Sequence, residues 1–148
     1  MDQGNTAFVL ISAALVLLMT PGLAFFYGGM VKAKSVVSMM MLSFGSLGLI
    51  AVLWVLYGYA ISFSNGGTPG FVGIDGWFGI DTSYLGLSAQ VADAAAPTGA
   101  FPSMAFVAFQ ATFAIITVAL ISGAIADRAK FGAWMVFAGL WATIVYFP

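Results

Sequence analysis

A chain of 148 residues that is 62% hydrophobic and 6% charged cannot hide its apolar surface as a soluble domain, because at this size a large share of residues must face water. Its net charge of −1 gives no sign of nucleic-acid binding, and the lack of Cys, His and Glu excludes disulfides, thiolate chemistry and a zinc site of the usual His/Cys type. Lipid is the solvent that fits, and lone strands would leave backbone groups unpaired there, so the expected fold class is all-α: a polytopic transmembrane helix bundle.

The N-terminus lacks the form of a secretory signal. Asp2 stands where a basic region would be, the first Lys is Lys32, and the apolar run from Ala7 exceeds the ~7–15 residues of a signal core. Residues 6–30 are therefore read as a first span that stays in the membrane. Pro21 inside it removes a donor and clashes with the carbonyl of Leu17, so a kink is expected, serving either packing or a pathway. Gly28 and Gly29 let the chain loosen or let another helix approach.

Residues 36–63 form the second uncharged run, with Ser43, Gly45, Ser46 and Gly48 in its middle as a face for close helix packing. Tyr57, Tyr59 and Phe63 end it and resemble an interfacial aromatic belt. Residues 64–101, rich in Gly, Ser, Thr, Asp and Ala, read as a long loop; its Trp77 and Phe78 either dip into the interface or fold the loop. The third run is 102–126, opened by Pro102, which has no donor to leave orphaned. It carries Ala119 and Gly123 as a small-xxx-small pair. The fourth is 131–148, with Tyr146 near its outer end. Each run meets the span length of about 17–25 residues without an ionisable acid or base, the fourth barely.

The basic residues Lys32, Lys34, Arg128 and Lys130 all fall in the short turns 31–35 and 127–130, while Asp2, Asp75, Asp81 and Asp93 fall in the N-terminal tail or the long loop. The positive-inside rule then makes the two turns cytoplasmic and puts the N-terminus and 64–101 outside.

The stretch 109–128, FQATFAIITVALISGAIADR, is the most informative. Phe109 and Phe113 are four apart, so their rings are expected to stack along one helix face. They are either apolar filler or paired rings that close a pore and attract cations. Gln110 and Thr112 should face protein or water, since a polar group buried in lipid is costly. No span holds a charge of the kind proton relays use. No phosphate loop, nucleophile–base pair or metal constellation is present, so neither an enzyme nor a cofactor is expected.

Three motifs together carry a resemblance: LVLLMTPGLAFFYGGMVKAKSV at 15–36, LWVLYGYAISF at 53–63, and the 109–128 stretch. FYGG after a Pro-Gly pair, followed by FQ-x-TFA in the third span, is similar to the ammonium transporter family, the Amt branch of the Amt/Rh superfamily. The resemblance implies a homotrimer in the plasma membrane, each subunit with a narrow hydrophobic pore and about eleven spans in two inverted halves. It implies ammonium, or methylammonium as an analogue, as substrate. Recruitment would rest on outer aromatic and hydroxyl groups, and two stacked Phe rings would gate the passage below. By motif Phe113 matches the Phe shared by recruitment site and gate, with Phe109 beside it. A PII-type signal protein is the implied cytoplasmic partner. The family's pore His pair has no match here, since the chain has no His. These residues thus resemble the first third of a longer parent, and four helices from one half are expected to be inactive alone. Two competing readings are a small four-helix interaction or assembly subunit, and a transporter for another small uncharged solute.

Overall fold

The computed structural model describes residues 2–64, 70–74, 78–92, 97–98 and 101–148. Helix α1, Gln3–Met30, begins where the Asp2 carboxylate accepts the Gly4 N–H at 2.9 Å, a cap that satisfies one orphan donor. Its 28 residues, at about 1.5 Å each, reach about 42 Å and exceed a bilayer core of about 30 Å. The helix stays unbroken through Pro21, so the expected kink does not interrupt it. One missing donor costs one turn, and helical turns on both sides carry the rest.

Helix α2, Ala33–Ser62, opens with a tight turn at Ala33–Ser35 and widens into a π-helical turn at Trp54–Gly58. Beyond the segment 64–101, called the outer segment after its expected side, which holds the short α3, Ser88–Ala92, come α4, Ser103–Ile125, and α5, Phe131–Tyr146. Helices α1, α2 and α4 are long and apolar enough to cross a membrane, and α5 is a shorter apolar helix. The transmembrane helical fold expected from composition is thus what forms. α1 packs on α2 and α4, and α2 packs on α4 and α5.

Small residues set these contacts. A Cβ at Gly28 would come within 3.3 Å of Met40, and one at Gly45 within 2.8 Å of Phe131. Gly29 and Gly48 meet nothing within 4 Å among the described residues. Trp134 of α5 is buried and donates its indole N–H to the Leu42 carbonyl at 3.0 Å and the Ser46 hydroxyl at 2.9 Å, pinning α5 to α2. Phe8, Leu15, Leu18 and Phe25 of α1 are exposed, which suits a lipid solvent.

The segment read as a loop contains structure. Strands β1, Phe71–Ile74, and β2, Phe78–Asp81, pair antiparallel, and β3, Pro97–Thr98, pairs with β4, Phe101–Pro102. The alternation of β-branched and aromatic residues with Gly explains the first hairpin. Trp77 lies outside the described residues, as do Asp75 and Asp93.

The aromatic belt needs one correction. Tyr59 is buried rather than facing lipid, and its ring lies 4.9 Å from Phe63 and 5.9 Å from Tyr84. Once the outer segment folds over the end of α2, those rings have protein to pack on. Tyr57 instead turns to α5, its hydroxyl 2.7 Å from that of Thr143.

Candidate functional site

Helix α4 carries the candidate residues and packs on α1 and α2, where Thr112, Ala114, Ile115, Ile116, Val118 and Ala119 are buried. Phe113 breaks this run and remains 38% exposed. Phe109 lies one turn away and is half-buried. Their ring centroids are 5.0 Å apart at 77°, so the contact is edge to face rather than stacked. The positive edge of one ring meets the negative face of the other, a favoured aromatic geometry. A ring face left free in that arrangement can attract a cation.

The two polar residues separate in role. The Thr112 hydroxyl donates to the Phe109 carbonyl at 2.6 Å, which satisfies it inside the helix. Gln110 is half-buried. The helix therefore brings all four residues within two turns, but Thr112 is buried among packed helices while Phe113 is open.

Near the start of α4, Phe106 meets Phe63 edge to face at 5.2 Å, and Phe63 in turn meets Trp54 at 6.3 Å. Trp54 is buried, and its indole N–H has no partner among the described residues. The hydroxyls of Thr20 and Ser43 are buried without partners as well. At the other end of α4 the Tyr27 hydroxyl donates to the Leu120 carbonyl at 3.0 Å, and a cavity of about 270 Å³ opens beside Tyr27, Met30 and Gly123. Sequence reading left Tyr27, Trp54 and Trp134 without roles. The one available signal was a polar-tipped aromatic inside an apolar run, which must find a partner or leave a donor unmet.

The sequence profile described as Ammonium Transporter Family matches residues 7–148. The chain belongs to the ammonium transporter family. It is 56% identical to a protein named ammonium transporter from Mycobacterium bovis, over 99% of this chain and 32% of that protein. It is 44% identical to the ammonium transporter of Bacillus subtilis, over 100% of the chain and 34% of the relative. Among solved structures, that of Candida albicans Mep2 superposes with a TM-score of 0.80 at 28% identity, covering 100% of this chain and 30% of that one. The chain thus spans about a third of the length of the relatives it matches. The likeness to ammonium transporters runs through the outer segment as well as the helices, and these relatives are transporters rather than enzymes.

Proposed function

We propose that the protein to which these residues belong moves ammonium or ammonia across the plasma membrane through a narrow hydrophobic pore. Family membership over residues 7–148 supports the substrate class. The observation that carries the residue assignment is the Phe109–Phe113 pair, with Phe113 exposed between the buried Thr112 and Ala114. An edge-to-face pair excludes water from a constriction, and the exposed ring offers its face to an ammonium ion above it. In this reading Phe113 serves both recruitment and gate, Phe109 braces it, Gln110 lends polarity, and Thr112 holds the helix turn.

The pore needs more wall than these helices supply, so residues 1–148 alone do not transport. The parent works as a homotrimer, and a PII-type protein engages its cytoplasmic face.

Uptake of labelled methylammonium by cells lacking their own transporters tests this. Parent-length protein should support uptake, Phe113→Ala should reduce it at least tenfold or change its KM, and residues 1–148 alone should give none. Unchanged uptake by a well-expressed Phe113→Ala protein removes the gate assignment. Uptake by residues 1–148 removes the claim that they are insufficient.

A further inference from the structure

Two widened helical turns lie side by side in this bundle. In α2 the Tyr59 N–H bonds the Trp54 carbonyl, five residues back. In α5 the Phe147 N–H does the same to the Ala142 carbonyl, at 2.9 Å. Such π-helical turns are rare and recur at functional sites. Here they are joined to each other. The Tyr57 hydroxyl lies 2.7 Å from that of Thr143, and because Thr143 gives its own proton to the Gly139 carbonyl at 2.7 Å, Tyr57 is the donor. The Phe147 ring fills the space at Gly58, where a Cβ would stand 2.8 Å from it.

The extra residue in α5 changes which side chain faces where. Trp134, Ala138 and Ala142 form a buried stripe at every fourth position, but the next buried member is Phe147, a step of five. An ordinary α-helix would bring Tyr146 into that stripe. The widened turn leaves Tyr146 one residue's rotation to the side, about 100°. There it lies against α4, its hydroxyl facing the Thr117 side chain. Thr117 follows Phe113 by one turn on the same face of α4, and neither is fully buried.

We propose that the Tyr57–Thr143 pair is a positioning contact for solute passage: it holds α5 in the widened register that keeps Tyr146 on Thr117, beside Phe113. Without the pair the turn tightens towards an ordinary α-helix and carries Tyr146 off the face that Phe113 occupies. The inference rests on Phe113 lining the pathway.

The test is methylammonium uptake by parent-length protein in cells lacking their own transporters, with KM, maximal rate and surface amount measured for each variant. Tyr57→Phe keeps the ring and loses the donor, and should change KM at least threefold. Thr143→Val should do the same, whereas Thr143→Ser keeps the acceptor and should restore the original KM. In a Tyr146→Ala background Tyr57→Phe should add nothing, because the side chain it positions is gone. An original KM in both Tyr57→Phe and Thr143→Val overturns the proposal in favour of a contact that only holds α5 to α2. A Tyr57→Phe shift that persists in full on Tyr146→Ala overturns it as well, since the effect then bypasses Tyr146. Phe113→Ala keeps the two readings apart. If it alters uptake while Tyr57→Phe and Thr143→Val do not, the positioning role alone falls. If it leaves uptake unchanged, the pathway assignment falls and this inference with it.

Discussion

Gly123 leaves the space that the Tyr27 ring fills: a Cβ at position 123 would stand 2.5 Å from the ring's Cζ. From that seat the Tyr27 hydroxyl reaches the Leu120 carbonyl at 3.0 Å, joining the last turns of α1 and α4. The Ala119–Gly123 spacing reads as a surface for helix backbones, yet what Gly123 admits is a ring. Gly123→Ala should therefore destabilise the helix pair by roughly 1–3 kcal/mol through overpacking. Tyr27→Phe keeps the ring and loses one hydrogen bond, for about 0.6 kcal/mol in a membrane setting. Unfolding in mixed micelles would rank them. Adding Gly123→Ala to a Tyr27→Ala background should cost little, because the ring it strikes is gone. A full penalty in that background would mean the clash lies elsewhere.

Trp134 and Ser46 form a buried polar contact between α5 and α2, apart from that of Tyr57 with Thr143. The Ser46 hydroxyl donates to the Leu42 carbonyl at 2.9 Å, and the Trp134 indole N–H reaches both atoms. The three groups are mutually satisfied in an apolar interior, where an unmet donor costs more than in water. Ser46→Ala leaves the indole with the Leu42 carbonyl and should cost under about 1 kcal/mol. Trp134→Phe removes both the donor and buried volume, and should cost about 2–3 kcal/mol. A double-mutant cycle read by reversible unfolding should give a coupling near 0.6 kcal/mol. Zero coupling would mean that the Ser46 hydroxyl adds nothing to how Trp134 holds α5.

Much of this architecture was legible because lipid imposes one demand, a long uncharged run, and the chain meets it plainly at α1, α2 and α4. The ends of α1 at Met30 and of α4 at Ile125 fall just before charge returns at Lys32 and Asp127. What the sequence hid was pairwise. The uncharged alternation Val72–Ile74 with Phe78–Ile80 is too short to separate a strand from a loop without its partner. Tyr59 looked interfacial because an aromatic near a span end usually is; only the fold of the outer segment over it makes it interior. Spacing placed Phe109 beside Phe113, but the angle between their rings depends on which neighbours leave room. Of the polar pair, Thr112 is satisfied by its own helix, as a short hydroxyl side chain often is.

Orientation is the last consequence of the charge pattern. Lys32, Lys34, Arg128 and Lys130 are all exposed. Ser35 and Ser38 share a cavity of about 140 Å³ with Asp127 and Ala129, so the two short connections sit side by side at one end of the bundle. Moving these charges outward would oppose the inward-negative potential and the anionic cytoplasmic leaflet together, about 2.3 kcal/mol per charge per 100 mV for the first alone. Lys34→Cys and Lys130→Cys in parent-length protein, otherwise free of Cys, should thus resist a membrane-impermeant maleimide added to intact cells and react once the membrane is opened. Leu85→Cys, exposed in the outer segment, should react in intact cells. Labelling of position 34 or 130 from outside would invert the orientation. Labelling of one turn but not the other from outside would break the pairing of the two turns and with it the helix order.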